Sequence, residues 1–545
     1  MRLCFIIFFE LLTIPLSAQN IVLNGKIQEA ASQEAIPYAS LRIEGYPYGS
    51  ISNAEGRFSI AFPAGIIEKG AILKVSCLGY ESKRLSLQGL GPAELVIELE
   101  EKTYSLETVT IYSTELDARE MLRQALQSVP LNYPQQDYQL QSFYRHYCRE
   151  GGVYGRLIEA TVEINDVGGH DRLYRNPEQK LEMRLTQLRR SFDFTRFSAF
   201  QHIPIALNRT LLADIVSYSS LISRHLHSPR FVFNYQDTTY FDGEVVYLVE
   251  AKGRAEGLRL EAQFYIQASD FAIVKVDHRY FSQSDRKTWR YQREDHFVAD
   301  YQRYEGKYYL SYLLNEGQYR EQQLDSLGNS RYSEDHYHHV EMMTQEIRTK
   351  NFATFRGKEP EEAEMTNVPY EAGFWQQYSV LAATPLEDRI GADLASRMPL
   401  SQQFAGKKLP AGLQDQLASQ YFAQWLERQS GRIVIVGFWN SQYDPSIKEL
   451  LKARRLMKQF QELPFSLLLI STDTEDATWQ NAIRKKRLYN IDHLRVGHGL
   501  ASRLCKELEV SAEPYFIMYG PSGERLLSGS ALPRPDQIKL YLSND

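Results

Sequence analysis

The pattern of apolar and polar positions divides this chain into three regimes. From about Ile21 to Ser113 apolar residues come in short runs, broken every few positions by Gly, Pro, Asn or Ser. "IVLNGKIQEAASQEAIPYASLRIEGYPYGSISNAEGRFSIAFPAG" holds four such runs, and "AILKVSCLGYESKRLSL" and "AELVIELEEKTYSLETVTIYS" continue them. Short strands punctuated by turn residues predict antiparallel hairpins and a small β-sandwich. In "ELDAREMLRQALQSVPLNYP" the period changes. Leu116, Met121, Leu122 and Ala125 recur at helical spacing, and Pro130 and Pro134 are expected to close the helix.

The second regime, about Gln139 to Phe352, is long and alternating. "RFVFNYQDTTYFDGEVVYLVEAKG", "LRLEAQFYIQASDFAIVKVDHRYF" and "DHFVADYQRYEGKYYLSYLLNEG" are separated or interrupted by "FDGE", "QASD", "YEGK" and "DSLGN". These are hairpin turns, and the segment predicts a curved antiparallel sheet or half-barrel. "FQHIPIALNRTLLADIVSYSSLISRHLH" reads as a helix within it. After Phe352 the chain becomes charged and proline-punctuated, which predicts a linker followed by short helices.

The third regime begins near Gly431. "RIVIVGFW" is a continuous apolar run suited to a central strand buried on both faces. "PSIKELLKARRLMKQFQEL" is an amphipathic helix with Pro445 in its first turn, where a missing N–H costs little. "FSLLLISTD" gives a second strand, "EDATWQNAIRKKR" a second helix and "GLASRLCKELEV" a third. "EPYFIMYGPSGERLLSG" gives a hairpin turned at Pro521-Ser522-Gly523, and "RPDQIKLYL" a closing helix. Alternation ending in a hairpin predicts a mixed-sheet α/β domain.

Two resemblances follow from these words. "GKIQEAASQEAIPYASLRIEG", "GSISNAEGRFSI", "LGYESKRLSL" and "LETVTIYS" resemble the carboxypeptidase-regulatory-like β-sandwich that fronts many exported and outer-membrane proteins of Bacteroidetes-type bacteria. That family usually has Asp where Ser52-Asn53 stand, although Asn53, Glu55 and Gly56 suit a tight turn regardless. The resemblance implies a structural or adhesive module. The third regime resembles the thioredoxin-like fold, most of all exported thiol-disulfide oxidoreductases. Phe438-Trp439, Asp444-Pro445, Asp473 with Trp479, Pro514 and Gly523 fall in the family's order. Pro514 matches the proline that in the family is cis and faces the active site. The CxxC does not carry over, because the nucleophile position holds Tyr443 and the resolving position Ser446.

That substitution decides the chemistry. A helix N-terminus lowers a thiol's pKa, and disulfide exchange needs sulfur on both partners. Ser446 has no adjacent base, and a phenol such as Tyr443 offers no sulfur for exchange. Cys505 sits on a helical stretch with Leu504 and Leu508 and is expected in the core. In "SEDHYHHVEMM" His336 and His338 share one face of a strand, with His339 and Asp335 on the other. A transition-metal site and an exposed strand end are the two readings, and the second is the expectation. "RLTQLRRSFDFTRF" is a basic patch expected on a solvated face. Asn208-Arg209-Thr210 fits a glycosylation sequon only in a eukaryotic secretory route.

Composition adds bounds. At 545 residues, with 43% hydrophobic and 24% charged, the chain is an ordinary globular protein of several domains. A formal net charge of −6 leaves no electrostatic footprint for nucleic acid. The 35 tyrosines favour pleated surfaces. "MRLCFIIFFELLTIPLSAQN" reads as an export leader cleaved after Ala18, and no later run is long enough for a transmembrane helix. Cys77, Cys148 and Cys505 then remain, a scattered odd set that makes no disulfide framework.

The expected organisation is a leader over 1–18, a β-sandwich over 21–113, a helix plus strand-rich region over 114–352, a linker with short helices over 353–430 and a degenerate thioredoxin-like domain over 431–545. The expected function is binding or assembly in the cell envelope, in the periplasm or at the outer membrane, without cofactor or metal. A groove around Trp439, Tyr443, Ser446 and Pro514 would hold an envelope protein or peptide. The rivals are a thiol-disulfide or antioxidant enzyme, and a carrier of lipid or another hydrophobic ligand in the middle region.

Overall fold

The computed structural model describes residues 20–542 apart from 91–93, 103–116, 173–180, 196–206, 212–213, 218–220, 287–288, 325–329, 356–367, 369, 379–384, 405–409, 461–462 and 489–490. The expected leader, the stretch 103–113 and the turn at 325–329 lie outside the described residues.

The first regime supplies β1 (Asn20–Glu29), β2 (Ser40–Ile43), β3 (Gly49–Ile51), β4 (Arg57–Pro63), helix α1 (Gly65–Glu68), β5 (Ile72–Ser76), β6 (Lys83–Ser86) and β7 (Leu95–Leu99). They form two sheets, ordered β4-β1-β7 and β3-β2-β5-β6, that enclose Ile27, Leu41, Phe58, Ile60, Phe62, Leu73 and Val75. This is the sandwich-like arrangement that the alternation predicts. The "SNAEGR" turn is built as its residues require. Asn53 Oδ1 accepts the N–H groups of Glu55 and Arg57, and Gly56 takes a φ of 71°.

Helix α2 (Ala118–Gln127) starts on Asp117, whose carboxylate accepts the N–H groups of Arg119 and Glu120. Its Met121, Leu122 and Ala125 are buried. Pro130 does not end this helix. It lies in the first turn of a second one, α3 (Val129–Asn132), where proline is tolerated.

The middle regime forms β8 (Tyr138–Glu150), β9 (Val153–Asp166), β10 (Leu181–Arg190), β11 (Phe231–Phe241), β12 (Glu244–Ala255), β13 (Leu258–Gln267), β14 (Ile273–Arg286), β15 (Trp289–Tyr304), β16 (Lys307–Leu324) and β17 (Ser330–Arg348). They make one antiparallel ten-stranded sheet in the order β10-β9-β8-β17-β16-β15-β14-β13-β12-β11. Two of its hairpins turn on Asp242-Gly243 and Glu305-Gly306, with positive φ at both central residues, as tight hairpins need. Between β10 and β11 one helix was expected. The described residues show two short ones, α4 (Leu207–Leu211) and α5 (Leu221–Arg224). Leu207, Leu211, Leu221 and Ile222 pack with α2 on one face of the sheet, against residues such as Tyr144, Val276, Leu313 and Met342.

The opposite face carries a row of charges set by the strand register. Arg145 faces Glu159 on β9 and Glu341 on β17, while Glu316 faces both His296 and His339. Arg145 bonds Glu159 at 2.8 Å, and Arg189 completes that pair from β10. Arg189 belongs to the basic patch expected on a solvated face, and here it is a partner to a buried carboxylate. Glu316 sits 2.9 Å from His339 and 3.3 Å from His296, with the Tyr337 hydroxyl at 2.5 Å. The His cluster is no exposed strand end, because His336, His338 and His339 are all buried. His339 stacks on Tyr147, and on the other face His338 meets Asn315 and Tyr319.

The charged, proline-rich stretch holds α6 (Ala372–Gln377), α7 (Pro385–Ala395), α8 (Leu400–Phe404) and α9 (Ala411–Arg428). Trp375 packs on Phe143 and Met343, Ile390 and Leu394 on Tyr147, and Glu387 pairs with Arg145 at 2.6 Å. Helices α6 to α8 cover the charged row, whereas Ala418, Tyr421, Phe422 and Trp425 of α9 pack with β18.

The third regime forms β18 (Ile433–Trp439), α10 (Asp444–Gln459), β19 (Phe465–Ser471), α11 (Asp476–Lys486), β20 (Asp492–Arg495), α12 (Arg503–Glu507), β21 (Tyr515–Tyr519), β22 (Arg525–Gly529) and α13 (Pro535–Leu542). The sheet order is β20-β19-β18-β21-β22, with β18, β19 and β20 parallel and β21 and β22 antiparallel to their neighbours. Every residue of β18 is buried, as its apolar run predicts. Strand β20 was not anticipated: at four residues, with Asp, His and Arg among them, it shows no strand pattern. The expected third helix reduces to a 3-10 turn at Gly499–Ala501 and the five-residue α12.

Candidate functional site

The four groove residues predicted from sequence lie at one end of this sheet, and they separate by exposure. Trp439 ends β18 and is 1% exposed, packed beneath α10 with Leu450 and Ala453. Ser446, in the first turn of α10, is 0% exposed. Among the described residues neither the Trp439 indole N–H nor the Ser446 hydroxyl has a hydrogen-bond partner. Both residues therefore build the floor and present no surface. Tyr443 precedes the helix and is 47% exposed. Pro514 is half-buried, and the Glu513–Pro514 bond is cis.

Strand register brings these loops together. Phe438 pairs with Tyr515, so the residues after β18 and those before β21 meet at the same edge, joined by the loop after β19. Asp473, on that third loop, fixes the first. Its carboxylate accepts the N–H of Ser441 at 3.1 Å, the hydroxyl of Ser441 at 2.7 Å and the hydroxyl of Ser471 at 2.7 Å. These three donors satisfy the buried carboxylate. The Thr472 hydroxyl donates to Glu513, and Asn440 Nδ2 donates to Thr472 Oγ1 at 3.4 Å. Burial raises the Glu513 pKa, the Thr472 hydrogen bond opposes this, and the Asp473 charge adds to it.

Sulfur is elsewhere. Cys77, Cys148 and Cys505 are free thiols. Cys505 packs with Val434, Val436 and Phe438, whereas Ile433, Ile435 and Trp439 pack toward α10. Successive strand residues point to opposite faces, so the sheet stands between Cys505 and the tip of α10. Burial raises the Cys505 thiol pKa, and the hydrogen bond from Ser502 only partly offsets it.

Sequence reasoning missed Ser441, Ser471 and Glu513. The "STD" run at the end of β19 was the available signal, since adjacent hydroxyls and a carboxylate close turns on themselves. Among the described residues no group of three or more His, Cys, Asp and Glu side chains is arranged to hold a metal ion. Among the described residues no helix is long and apolar enough to cross a membrane.

Residues 23–111 match the family model of the CarboxypepD_reg-like domain, so a carboxypeptidase-regulatory-like module forms this part of the chain. None of the curated proteins matches this chain. Among solved structures, a thiol-disulfide oxidoreductase from Bacteroides fragilis is similar at 29% identity over 20% of this chain and 77% of that one, with a TM-score of 0.19. The thioredoxin domain of a thiol-disulfide oxidoreductase from Bacteroides vulgatus is similar at 19% identity over 21% and 80%, with a TM-score of 0.19. A secreted disulfide oxidoreductase from Mycobacterium tuberculosis is similar at 16% identity over 22% and 84%, with a TM-score of 0.19.

Proposed function

We propose that this protein is an exported cell-envelope binding or assembly protein. Its C-terminal region, residues 431–545, is read as a thioredoxin-like domain that has lost redox chemistry and kept a partner-binding edge. The fold reading is supported by the parallel β18 and β19 joined through α10, by the β21–β22 hairpin that extends the sheet beyond β18, and by a proline at the start of β21. The binding edge comprises Tyr443, Asn440, Glu513 and Pro514, with Trp439 and Ser446 as its floor. A partner segment would lie extended beside Pro514, pairing its backbone with the chain there.

One observation carries the loss of catalysis. The tip of α10 offers a phenol and a buried hydroxyl where exchange needs two sulfurs, and Cys505 lies under the other face of the sheet. The middle sheet is not assigned a ligand, because α2, α4 and α5 of the same chain already pack on its apolar face.

The test has two arms. Purified protein is assayed for insulin reduction with dithiothreitol, and no turnover above buffer is expected. Turnover abolished by Cys505→Ala would overturn the reading in favour of a thiol enzyme. In the second arm, crosslinking from the native envelope is compared for wild type and Tyr443→Ala. Loss of one captured partner in the variant supports the binding edge, and an identical capture pattern removes it.

A further inference from the structure

The last turns of α10 and α11 lie side by side, at the far end of α10 from the proposed binding edge. The Arg454 guanidinium donates to the Lys486 carbonyl at 2.8 Å and joins the two helices. Arg455 and Lys458 follow on α10, and Lys485 and Arg487 flank Lys486. Arg454, Arg455, Lys458, Lys485 and Arg487 are exposed, and Lys486 is half-buried. Both helices pack on the same face of the C-terminal sheet, α10 through Leu450, Ala453 and Leu456 and α11 through Trp479 and Ile483. At about 1.5 Å per residue, Lys458 stands about 20 Å along the helix from Tyr443.

Carboxylates do not balance this cluster. Residues 449–462 and 480–488 hold eight lysines and arginines against two carboxylates, Glu449 and Glu462. Glu449 is taken by Lys452 at 2.5 Å and by the Leu532 N–H at 3.4 Å, and Glu462 lies outside the described residues. Asp473 is at the other end of the sheet, on Ser441. Among the described residues none of Arg454, Arg455, Lys458, Lys485, Lys486 and Arg487 pairs with a carboxylate. The helix dipole favours a cation in a last turn. It does not account for six from two adjoining helices, which repel one another. Nor does it account for Arg487, which takes a φ of 54° at the end of α11. That conformation is costly for a residue with a Cβ and is usually left to glycine. Positive charge is kept here against both costs.

The chemistry of the cluster selects its partner. Helix C-termini present carbonyl groups, not the N–H groups that cradle a single phosphate. The partner that fits is therefore a surface carrying many anions. Leu463, 38% exposed, follows α10 directly, with its N–H on the Phe460 carbonyl at 3.0 Å. Cations beside an exposed leucine match the headgroup layer of a bilayer, where basic side chains meet lipid phosphates and an apolar one enters the boundary. We propose that this end of the C-terminal domain docks on an anionic phospholipid surface. The contact is peripheral and needs no spanning helix. It leaves the tip of α10 directed away from the lipid, and it stands whether or not that tip binds a partner.

The experiment is co-sedimentation of the full chain with vesicles of phosphatidylcholine alone and of phosphatidylcholine mixed equally with phosphatidylglycerol. Each cation near an anionic surface contributes about fivefold in binding. Wild type is expected to bind the anionic vesicles at least about a hundredfold more tightly, and molar salt to abolish the difference. The combined variant Arg455→Gln, Lys458→Gln, Lys485→Gln is expected to lose at least about tenfold of that preference. Residues 1–18 are the same in both proteins, so their difference reads the cluster alone. If the combined variant does not fold, Arg487→Gly replaces it, since glycine is at ease at that φ, and the preference is expected to fall about fivefold. Equal binding of wild type to both vesicles, or a folded variant that keeps the wild-type preference, overturns the proposal. Retention of wild type on immobilised polyglutamate, in salt that strips it from the vesicles, assigns the cluster to an acidic protein and overturns it equally.

Discussion

Ser441 gives both its N–H and its hydroxyl to the carboxylate of Asp473, so the loop that precedes α10 is tied to the end of the neighbouring strand by one side chain. The same carboxylate takes the Ser471 hydroxyl. Asp473→Ala would leave three donors without their acceptor in a buried place, and each unmade bond of this kind costs about 1–3 kcal/mol before relaxation. A loss of about 2–4 kcal/mol is expected by chemical denaturation. Asp473→Asn keeps an acceptor oxygen and should lose less. Equal stability of wild type and Asp473→Ala would show that the loop is held by other contacts.

The pair His339 and Glu316 predicts a pH dependence on the alkaline side. Burial alone would lower His339, but hydrogen bonds to Glu316 and Glu341 raise it to about 9. His296 is likewise opposed by burial and raised to about 9 by Asp277 and Glu316. Burial would raise Glu316, and its two histidine partners hold it well below the usual carboxylate range. Groups raised from 6.5 to about 9 give stability that is complete below 6.5 and lost as pH rises through 9. The melting temperature is therefore expected to fall between pH 6.5 and 9. Glu316→Gln should flatten that slope and cost about 3 kcal/mol at pH 6, because it takes one carboxylate partner from the buried His339 and from the partly buried His296. A steep slope retained in Glu316→Gln would assign the effect to other groups.

How much of this was legible follows from where each signal resides. The apolar run of β18 and the Asp242-Gly243 and Glu305-Gly306 turns are local, and the sequence marks them plainly. The charged row of Arg145, Glu159, Glu316, His339 and Glu341 is not local. Its members come from strands up to two hundred residues apart, and only the register of β8 with β17 places Arg145 against Glu341. An isolated Arg or Glu on an alternating strand looks like a solvated face, because the helices that cover it lie in a stretch whose Pro and charge content predict a linker. The site divides in the same way. Tyr443, Ser446 and Pro514 were expected together because of the resemblance of their segments to the thioredoxin-like fold, not because of the apolar pattern. The burial of Trp439 and Ser446 is decided by how α10 packs on β18, which pattern alone does not specify.

Gly25 offers a test of the sandwich. It lies on β1 where β4 and β7 both approach, and a Cβ built there would stand 2.1 Å from the Leu95 carbonyl oxygen and 2.6 Å from the Phe58 ring. Backbone on a paired strand cannot retreat cheaply, so Gly25→Ala should destabilise by at least about 2 kcal/mol. Gly65→Ala is the matched control. Gly65 opens α1, and a Cβ there meets nothing within 4 Å. That change is expected to be neutral or to stabilise by up to about 1 kcal/mol. The two variants are compared by thermal melting, and a neutral Gly25→Ala would mean that β1 and β7 do not approach as closely as the register places them.

The thiols give the most direct separation of a binding protein from a redox enzyme. A redox-active cysteine is exposed and has a lowered pKa, so it reacts with a disulfide reagent in the native state. Here each thiol among the described residues is shifted the other way. Burial pushes Cys148 up to about 12, against the attraction of Arg156, which donates to its sulfur at 3.2 Å. Burial pushes Cys77 up to about 11 and raises Cys505. At pH 7.5, 5,5′-dithiobis(2-nitrobenzoate) is therefore expected to label none of Cys77, Cys148 and Cys505 within the time that labels free cysteine. All three should react at one rate-limiting step when denaturant unfolds the protein. Cys505→Ala should lower stability by about 1–2 kcal/mol through the lost sulfur contacts in the core and leave native labelling unchanged. Rapid native labelling of one thiol, lost in Cys505→Ala, would place an accessible nucleophile in the C-terminal domain and reverse the argument from burial.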